Sequence, residues 1–281
     1  MIEKINGNTK IYGIIGYPVK HSFSPIMHNA AFSELKVDAR YVPFCVKPDK
    51  ISQAIEGIRA LGISGFNVTI PHKSSVMEYL DEVAPIARKV GAVNTVKNLN
   101  GRLIGTNTDI LGFVRSLKEL NFNPLNKKIG LLGAGGSSRA LLAGLANAGA
   151  SEILICNRTM ERSKKLELEF SRFFPKIKIK SVPLKKINES HLDLLVNSTS
   201  VGMLDDEILI DLNLCSKKKH VVDIIYNPSQ TKLLRQAENL GIPNLNGLSM
   251  LLYQGCEAFE FWTNLPAPKQ IMQKQLFKLV N

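Results

Sequence analysis

The sequence predicts an α/β protein of two domains, one of which is a Rossmann-type dinucleotide-binding domain. Its 281 residues exceed the usual size of a single domain. Short apolar runs alternate with helical patterns along the chain, which is typical of parallel sheets covered by helices. Between residues 128 and 182 this alternation becomes a regular β-α-β pattern, with a glycine-rich loop after its first strand.

The N-terminal part predicts an α/β domain with a mixed sheet. Strands are predicted at 11–15, 41–46, 65–70, 93–99 and 102–105, and the last two are joined by a turn at Asn100 and Gly101. Helices are predicted at 26–35, 50–61, 73–80 and 85–90. The first of these helices has Ser24 as its N-cap and Pro25 at its first position.

The second part follows a doubly wound pattern. After a helix at 111–120, strands are predicted at 128–132, 152–156, 177–182, 192–197, 220–224 and 243–245. Helices separate them, the clearest at 161–173 and 230–240, and two more, at 249–264 and after Pro268, close the chain. The pattern predicts a parallel sheet with helices on both faces.

Composition narrows the classes of function. The net charge of +12 could indicate a nucleic-acid partner, but the lysine-rich segment 164–186 has no regularly spaced aromatic residues, which favours a solvated surface instead. No apolar run reaches about 18 residues, and the N-terminus lacks a signal-peptide core, so we expect a cytoplasmic protein without a membrane span. Four dispersed cysteines without a C-x-x-C pair predict no metal site and no disulfide.

A phosphate-binding loop is predicted at Gly133–Ser138, between a strand and a helix. Gly133 permits the tight turn, and Gly135 lets the backbone approach a pyrophosphate. The helix that follows offers unpaired N–H groups and the positive end of its dipole. Ser138 replaces the third glycine of the usual motif and is small enough for close packing of helix and sheet. The predicted cofactor residues here are Gly133, Ala134, Gly135, Gly136 and Ser137.

The end of the next strand predicts NADP rather than NAD. An NAD site places a carboxylate there, whereas this chain continues Asn157-Arg158-Thr159, with Arg162 one helical turn later. A carboxylate would repel the 2′-phosphate of NADP, while two guanidinium groups can bind it through charge-assisted hydrogen bonds. The alternative is that both arginines are ordinary surface residues.

Polar residues also occur in the N-terminal part where the fold alone does not require them. Asn67 and Thr69 lie in an apolar strand, on one face of it. Lys73 is predicted at the start of a helix, where a positive charge opposes the helix dipole. Asp109 could cap the helix that follows it.

At these positions the chain resembles the shikimate dehydrogenase family, along nearly its whole length. The segments that carry the resemblance are Ser22-Phe-Ser-Pro25, Asn67-Val-Thr-Ile-Pro-His-Lys73, Gly91-Ala-Val-Asn-Thr95, Asn107-Thr-Asp109, the Gly133 loop, Asn157-Arg-Thr-Met-Glu-Arg162, Asn197-Ser-Thr-Ser-Val-Gly-Met203 and Gly247-Leu-Ser-Met-Leu-Leu-Tyr-Gln254. The resemblance implies NADPH-dependent reduction of 3-dehydroshikimate to shikimate, in aromatic amino acid biosynthesis. It also implies a substrate domain of residues 1–109 plus 248–281 and an NADP domain of residues 110–247.

The resemblance further implies a role for each matching residue. Ser22 and Ser24 bind the substrate carboxylate, and Tyr226 lies near it. Asn67, Asn94 and Asp109 bind the ring hydroxyls. Thr69 and Gln254 complete the substrate site. Lys73 is the proton-transfer residue, and Asp109 is its charged neighbour. Asn157, Arg158, Thr159 and Arg162 bind the adenosine phosphate, while Thr199, Ile224 and Gly247 line the ribose and nicotinamide.

The residues themselves favour Lys73 as the acid. The matched motifs contain no histidine except His72, and no metal-ligand cluster is present to act as a Lewis acid. Two alternatives stay open: a quinate/shikimate dehydrogenase, and an NADP-sensing protein without catalysis. The expected partners are a small-molecule substrate and, as a candidate assembly, a second copy of the chain in a homodimer.

Overall fold

The computed structural model describes residues 5–280, which form two compact units. The first unit runs to Thr108 and includes the chain from Leu252 onward, and the second runs from Asp109 to Leu251. The predicted boundaries of independent domains, 1–109 plus 248–281 and 110–247, stay a prediction.

The first unit is built on a six-stranded mixed sheet. Its strands and helices up to Thr108 are β1 (Lys10–Gly16), α1 (Ser24–Glu34), β2 (Ala39–Cys45), α2 (Ile51–Ala60), β3 (Gly65–Val68), β4 (Glu82–Val83), α3 (Pro85–Val90), β5 (Thr95–Leu99) and β6 (Arg102–Thr106). The strand order is β2-β1-β3-β5-β6-β4. Strand β1 is parallel to β2 and β3, whereas β5 is antiparallel to both β3 and β6, so the predicted mixed sheet is confirmed.

Local sequence explains the hairpin and the core of this unit. Asn100 and Gly101 both have positive φ, 53° and 90°, the backbone that the tight turn between β5 and β6 requires. Phe66 of β3, Val96 of β5 and Leu103 of β6 are completely buried and pack in one apolar cluster. Burial of such side chains is the main source of stability for the sheet.

The helix predicted at 73–80 is present, but it is shorter and of the 3-10 type. The chain forms a turn after Pro71 and then a 3-10 helix, Ser75–Tyr79. The Lys73 carbonyl accepts a hydrogen bond from the Val93 N–H (2.7 Å), and Met77 bonds instead to the Ser74 carbonyl (3.3 Å). A long-range contact has therefore replaced the bond that a regular α-helix from Lys73 would need.

Several other boundaries differ from the prediction by one to four residues, and two of them concern predicted site residues. Helix α1 begins at Ser24, so its N-cap is Phe23 rather than Ser24, and the Ser22 hydroxyl accepts from the Ser24 N–H (3.3 Å). Strand β3 ends at Val68, which leaves Thr69 just beyond it. The two-residue strand β4 was not predicted, because two residues are too few to show a period.

The second unit is an all-parallel, doubly wound sheet, as predicted. Its elements are α4 (Asp109–Ser116), β7 (Lys128–Leu132), α5 (Gly136–Asn147), β8 (Glu152–Cys156), α6 (Met160–Phe173), β9 (Lys178–Ser181), α7 (Leu184–Glu189), β10 (Leu194–Asn197), β11 (Val221–Asp223), α8 (Lys232–Asn239) and β12 (Asn244–Leu245). The strand order β12-β11-β10-β7-β8-β9 reverses direction between β10 and β7. This reversal is the switch point at which such sheets bind ligands, beyond the carboxyl ends of the strands.

The chain ends with α9 (Leu248–Thr263) and α10 (Lys269–Phe277). Trp262 of α9 lies over Gly65 of β3, where a Cβ would stand 2.7 Å from the indole, and its Nε1 donates to the Val96 carbonyl (2.8 Å). Within residues 5–280, no helix is both long and apolar enough to cross a membrane. The same residues contain no group of three or more His, Cys, Asp or Glu side chains that could hold a metal.

Candidate active site

A buried network of amides and hydroxyls occupies the first unit. Asn67 donates from Nδ2 to the Asn94 carbonyl (3.1 Å) and to Thr95 Oγ1 (3.0 Å). Asn94 donates from its own Nδ2 to Thr108 Oγ1 (3.0 Å) and to Gln254 Oε1 (3.4 Å). All five residues are buried. The fold therefore brings together three predicted substrate residues that lie far apart in the sequence: Asn67, Asn94 and Gln254.

Thr95 and Thr108 complete this network, although sequence reasoning did not select them. The Asn94 Oδ1 atom accepts from the Thr108 N–H (2.7 Å) and from Thr95 Oγ1 (3.1 Å). Their only signal in the sequence was their position next to Asn94 and Asp109. Buried hydroxyl groups that are fully hydrogen-bonded orient their neighbours, which makes these threonines part of the site's scaffold.

The other predicted substrate residues of the first unit follow the ends of β1 and β3. These strands are parallel, so the segments that leave their carboxyl ends begin at one edge of the sheet. Ser22 and Ser24 follow β1, and Thr69 and Lys73 follow β3. Ser24 is buried, while the Lys73 side chain is half-buried. The Thr69 N–H still donates to the Ile15 carbonyl (2.9 Å), although Thr69 lies outside the strand.

His72 is buried, and one of its ring nitrogens bonds to the backbone inside the unit. Its Nε2 lies 2.7 Å from the Val46 carbonyl oxygen, inside the unit. Because a carbonyl oxygen can only accept, Nε2 carries a hydrogen and donates it. The next residue, Lys73, is half-buried, and its role in proton transfer stays a prediction.

Asp109 and Tyr226 belong to the second unit. Asp109 is the buried first residue of α4, rather than a cap that precedes it. Tyr226 is half-buried and follows β11. The predicted pairing of Lys73 with Asp109 joins residues of different units and stays a prediction.

The glycine loop lies at the switch point of the second sheet, between β7 and α5. Gly133 has φ +113°, and a Cβ there would lie 2.7 Å from Ser198 Oγ and 2.9 Å from Ser138 Oγ. Ser138 is completely buried and its Oγ accepts from the Gly135 N–H (3.1 Å). The serine thus closes the loop while leaving Gly135 exposed. Open space beside Gly135 and the N-terminus of α5 make a cradle that fits a pyrophosphate.

Arg158, Thr159 and Arg162 are exposed beyond the end of β8, where an adenosine ribose would lie in a Rossmann-type domain. Asn157 Nδ2 donates to the Thr159 carbonyl (2.8 Å), which orders the turn. No ion pair within residues 5–280 involves Arg158 or Arg162. Both guanidinium groups therefore fit a phosphate, and residues 157–159 include no carboxylate that could bind the ribose of NAD.

A second buried network supports the far end of the cofactor site, and sequence reasoning missed its central residue, Asp223. This carboxylate accepts from Asn197 Nδ2 (3.1 Å), the Ile225 N–H (3.1 Å) and Thr231 Oγ1 (2.8 Å). Burial raises the pKa of Asp223, and these three donors act in the opposite direction. Asn197 Oδ1 in turn accepts from the Thr199 hydroxyl (2.7 Å). Asp223 thus holds the turn that carries a predicted cofactor residue.

Ile224 and Gly247 are adjacent in the fold. The Ile224 N–H donates to the Asn197 carbonyl (3.0 Å) at the carboxyl end of β10. A Cβ at position 247 would overlap the Ile224 carbonyl, so only glycine fits there. Gly133, Asn157, Thr199 and Ile224 therefore all follow carboxyl ends of neighbouring strands, along one edge of the sheet.

The second unit is of the Rossmann type, with a phosphate loop and two arginines, and the first is a mixed α/β unit with a buried polar network. These features define a class: the NADP-dependent dehydrogenases with two α/β domains. Three family models match the chain: the Shikimate dehydrogenase substrate binding domain at residues 14–96, the Shikimate / quinate 5-dehydrogenase at 116–230 and the Shikimate 5'-dehydrogenase C-terminal domain at 247–277.

Whole-chain relatives agree with these matches. The shikimate dehydrogenase (NADP(+)) of Bacillus cereus (strain G9842) is 46% identical over 276 residues, with 95% of this chain and 99% of the relative covered. A crystal structure of a shikimate dehydrogenase in complex with NADP+ is 40% identical, with a TM-score of 0.92 and coverage of 99% and 98%. The enzyme of Thermus thermophilus, solved with NADP(H) and shikimate, is 34% identical, with a TM-score of 0.87 and coverage of 96% and 99%. The chain belongs to the shikimate dehydrogenase (NADP+) family.

Proposed function

We propose that this chain catalyses the reversible, NADPH-dependent reduction of 3-dehydroshikimate to shikimate, a step of aromatic amino acid biosynthesis. The observation that carries the proposal is the buried network of Asn67, Asn94 and Gln254. Amide donors and acceptors on a rigid frame suit a ring that bears several hydroxyl groups. Two of these residues lie in the segment that matches the substrate binding domain of the family.

The second unit binds the cofactor. The loop at Gly133–Ser137 and the N-terminus of α5 hold the pyrophosphate, and Arg158 and Arg162, with Asn157 and Thr159, hold the 2′-phosphate. Thr199, Ile224 and Gly247 line the nicotinamide end. When bound, the cofactor supplies a hydride to the carbonyl carbon, or accepts one from the alcohol in the reverse direction.

Lys73 transfers the proton. Its ammonium donates a proton to the ketone oxygen as that atom gains negative charge, so one hydride and one proton together convert C=O to CH–OH. In the reverse direction the neutral amine takes the hydroxyl proton. The Asp109 carboxylate keeps the ammonium oriented and accepts a hydrogen bond from a ring hydroxyl.

Hydroxyl groups bind the carboxylate of the substrate. Ser22 and Ser24 donate to it, and Tyr226 lies near the same end. Thr69 contacts the ring beside Asn67. These roles follow from the family resemblance, and the positions of Ser22, Ser24 and Thr69 beyond parallel strand ends support them.

The decisive experiment is oxidation of shikimate and of quinate by the purified chain, each with NADP+ and with NAD+, followed by absorbance of the reduced nicotinamide. We expect turnover with shikimate and NADP+ that exceeds the other three combinations. Comparable turnover of quinate would favour the quinate/shikimate alternative. Binding of NADP+ without turnover of either acid would favour the NADP-sensing alternative and contradict the proposal.

The assembly is a separate proposal: a homodimer. Light scattering of the purified chain at several concentrations tests it, and a mass of one chain throughout would contradict it.

A further inference from the structure

Tyr41 of β2 is buried, and its hydroxyl reaches Asn67 of β3. The Tyr41 Oη and Asn67 Oδ1 atoms are 2.7 Å apart, although the residues are separated by 26 positions. Tyr41 pairs with Tyr12, and Asn67 pairs with Ile14, on the strand β1 that lies between them. Positions 12 and 14 share one face of β1. The Tyr41 ring therefore crosses β1 diagonally to end at Asn67.

The contacts of Asn67 determine which way its amide points. One of its two terminal atoms lies 3.1 Å from the Asn94 carbonyl oxygen, which can only accept a hydrogen bond. That atom must be Nδ2, and the atom beside Tyr41 must be Oδ1, so the Tyr41 hydroxyl donates. The second Nδ2 hydrogen points to Thr95 Oγ1. With both amide hydrogens used inside the fold, Asn67 can offer a ligand only the remaining acceptor lone pair of Oδ1.

Two consecutive residues of α1 hold Tyr41 in place. The imidazole of His28 stacks on the Tyr41 ring, with centroids 4.6 Å apart and an interplanar angle of 17°. The Asn29 side chain accepts from the Tyr41 N–H (2.8 Å) and donates to its carbonyl (2.9 Å). Strand β2 lies at an edge of the sheet, so Tyr41 has no neighbouring strand on that side. Asn29 supplies the two hydrogen bonds that such a strand would make to the Tyr41 backbone. Ring and backbone are both fixed.

We propose that Tyr41 is a positioning residue, which fixes Asn67 so that its Oδ1 accepts a hydrogen bond from a ring hydroxyl of the substrate. The identity of that ligand as shikimate rests on the proposed function, whereas the coupling of Tyr41 to Asn67 does not. The arrangement also connects two parts of the site, because α1 begins at the predicted carboxylate-binding Ser24 and holds Tyr41 one turn later.

The first test is Tyr41→Phe, which keeps the ring that stacks on His28 and removes only the hydroxyl. Loss of one buried hydrogen bond should raise KM for shikimate about 2- to 10-fold. The KM for NADP+ should be unchanged, since Tyr41 lies in the first unit. The matched control is Tyr12→Phe, which removes a hydroxyl from the same aromatic cluster without touching Asn67. Equal shikimate KM values for Tyr41→Phe and the parent chain would overturn the proposal.

A double-mutant cycle separates positioning from a general structural effect. If Tyr41 acts through Asn67, then Tyr41→Phe should change KM by less than about twofold when Asn67 is already alanine. A further rise as large as that in the parent chain would show that Tyr41 acts independently of Asn67, and would overturn the proposal. Melting temperatures of all four proteins check that each is folded.

A measurement without substrate keeps this proposal distinct from the proposed function. In 15N-labelled protein, the side-chain NH2 signals of Asn67 are those that disappear in Asn67→Ala. Tyr41→Phe should shift them, and Tyr12→Phe should not. If the parent chain fails to oxidise shikimate, the proposed function fails, while these signals still decide the coupling. Unshifted Asn67 signals in Tyr41→Phe would overturn the proposal that Tyr41 positions Asn67.

Discussion

Asn94 connects three segments of the first unit through one side chain. Its Oδ1 accepts from the Thr108 N–H, and its Nδ2 donates to Thr108 Oγ1 and Gln254. An amide has two donors and two acceptor lone pairs, so these bonds leave it little freedom to turn. Asn94 therefore orients the residues that precede Asp109 as well as any ligand that it binds.

Lys73 is the residue whose chemistry is most directly testable. We expect Lys73→Ala to reduce kcat for shikimate oxidation by about 10²- to 10⁴-fold, because a positioned acid or base contributes that much to proton transfer. Binding of NADP+ should be retained, since Lys73 lies in the first unit. Steady-state kinetics with a parallel titration of NADP+ checks both. Near-parental kcat would remove Lys73 from proton transfer.

His28 should make stability depend on pH. Burial lowers the pKa of His28 from 6.5 to about 3, and neither ring nitrogen has a hydrogen-bond partner within residues 5–280. The folded-state pKa is below the unfolded one, so the unfolded chain takes up the proton first. Stability is therefore lost as pH falls from about 6.5 towards 3, at about 1.4 kcal/mol per pH unit.

The variant His28→Phe isolates this effect, since it keeps an aromatic ring beside Tyr41. Between pH 7.5 and pH 5, the loss in free energy of unfolding should be about 2 kcal/mol smaller in the variant than in the parent chain. Urea unfolding at both pH values measures it. Identical losses in the two proteins would mean that His28 is protonated in the folded state at pH 5.

At the scale of elements, two glycines of the loop between β7 and α5 differ in whether the backbone requires a glycine. Position 133 requires glycine, because its φ is positive and a Cβ there would lie within 3 Å of the oxygens of Ser138 and Ser198. Gly135 has φ −88°, which any residue can adopt, and a Cβ there would meet no protein atom within 4 Å. The fold therefore does not require a glycine at position 135, and its predicted contact with a pyrophosphate stays a prediction.

These glycines form a matched pair for mutation. Gly133→Ala should lower the free energy of unfolding by about 1–3 kcal/mol, because alanine is strained at this positive φ. Gly135→Ala should leave stability within about 0.5 kcal/mol of the parent value but weaken NADP+ binding, because its methyl group enters the pyrophosphate cradle. Thermal unfolding and NADP+ titration measure the two effects. A Gly135→Ala protein with parental NADP+ affinity would contradict the predicted cradle.

At the scale of the whole molecule, we expect the first unit to bind the substrate and the second to bind the cofactor. Arg158→Ala should weaken NADP+ binding about 10- to 100-fold, because that is the usual effect of losing a charge-assisted hydrogen bond. NAD+ binding and KM for shikimate should change much less. The matched control is Arg172→Ala, which removes an exposed arginine from the other end of α6. Cofactor titrations measure this selectivity, and equal losses for NADP+ and NAD+ would contradict the phosphate-binding role.

Features encoded over short stretches of chain were predictable from the sequence. The β5–β6 hairpin, the glycine loop and the arginine-bearing turn after β8 each depend on adjacent residues with restricted backbone or charge, and all three occur as predicted. The mixed and parallel sheets followed from hydrophobic patterning. The helix predicted at 73–80 is only a 3-10 helix at Ser75–Tyr79, because patterning could not reveal that the Lys73 carbonyl bonds to Val93.

The partners inside the site were decided only by the tertiary structure. Nothing near Asn67 in the chain indicates that Tyr41 orients its amide, and nothing near Thr199 indicates that Asp223 supports its turn through Asn197. By itself the sequence determined the fold class, the cofactor and the residue types available for chemistry, because periodicity, turns and charge are local. Which atom of each polar side chain stays available to a ligand depends on hydrogen bonds between distant strands, and those exist only after folding.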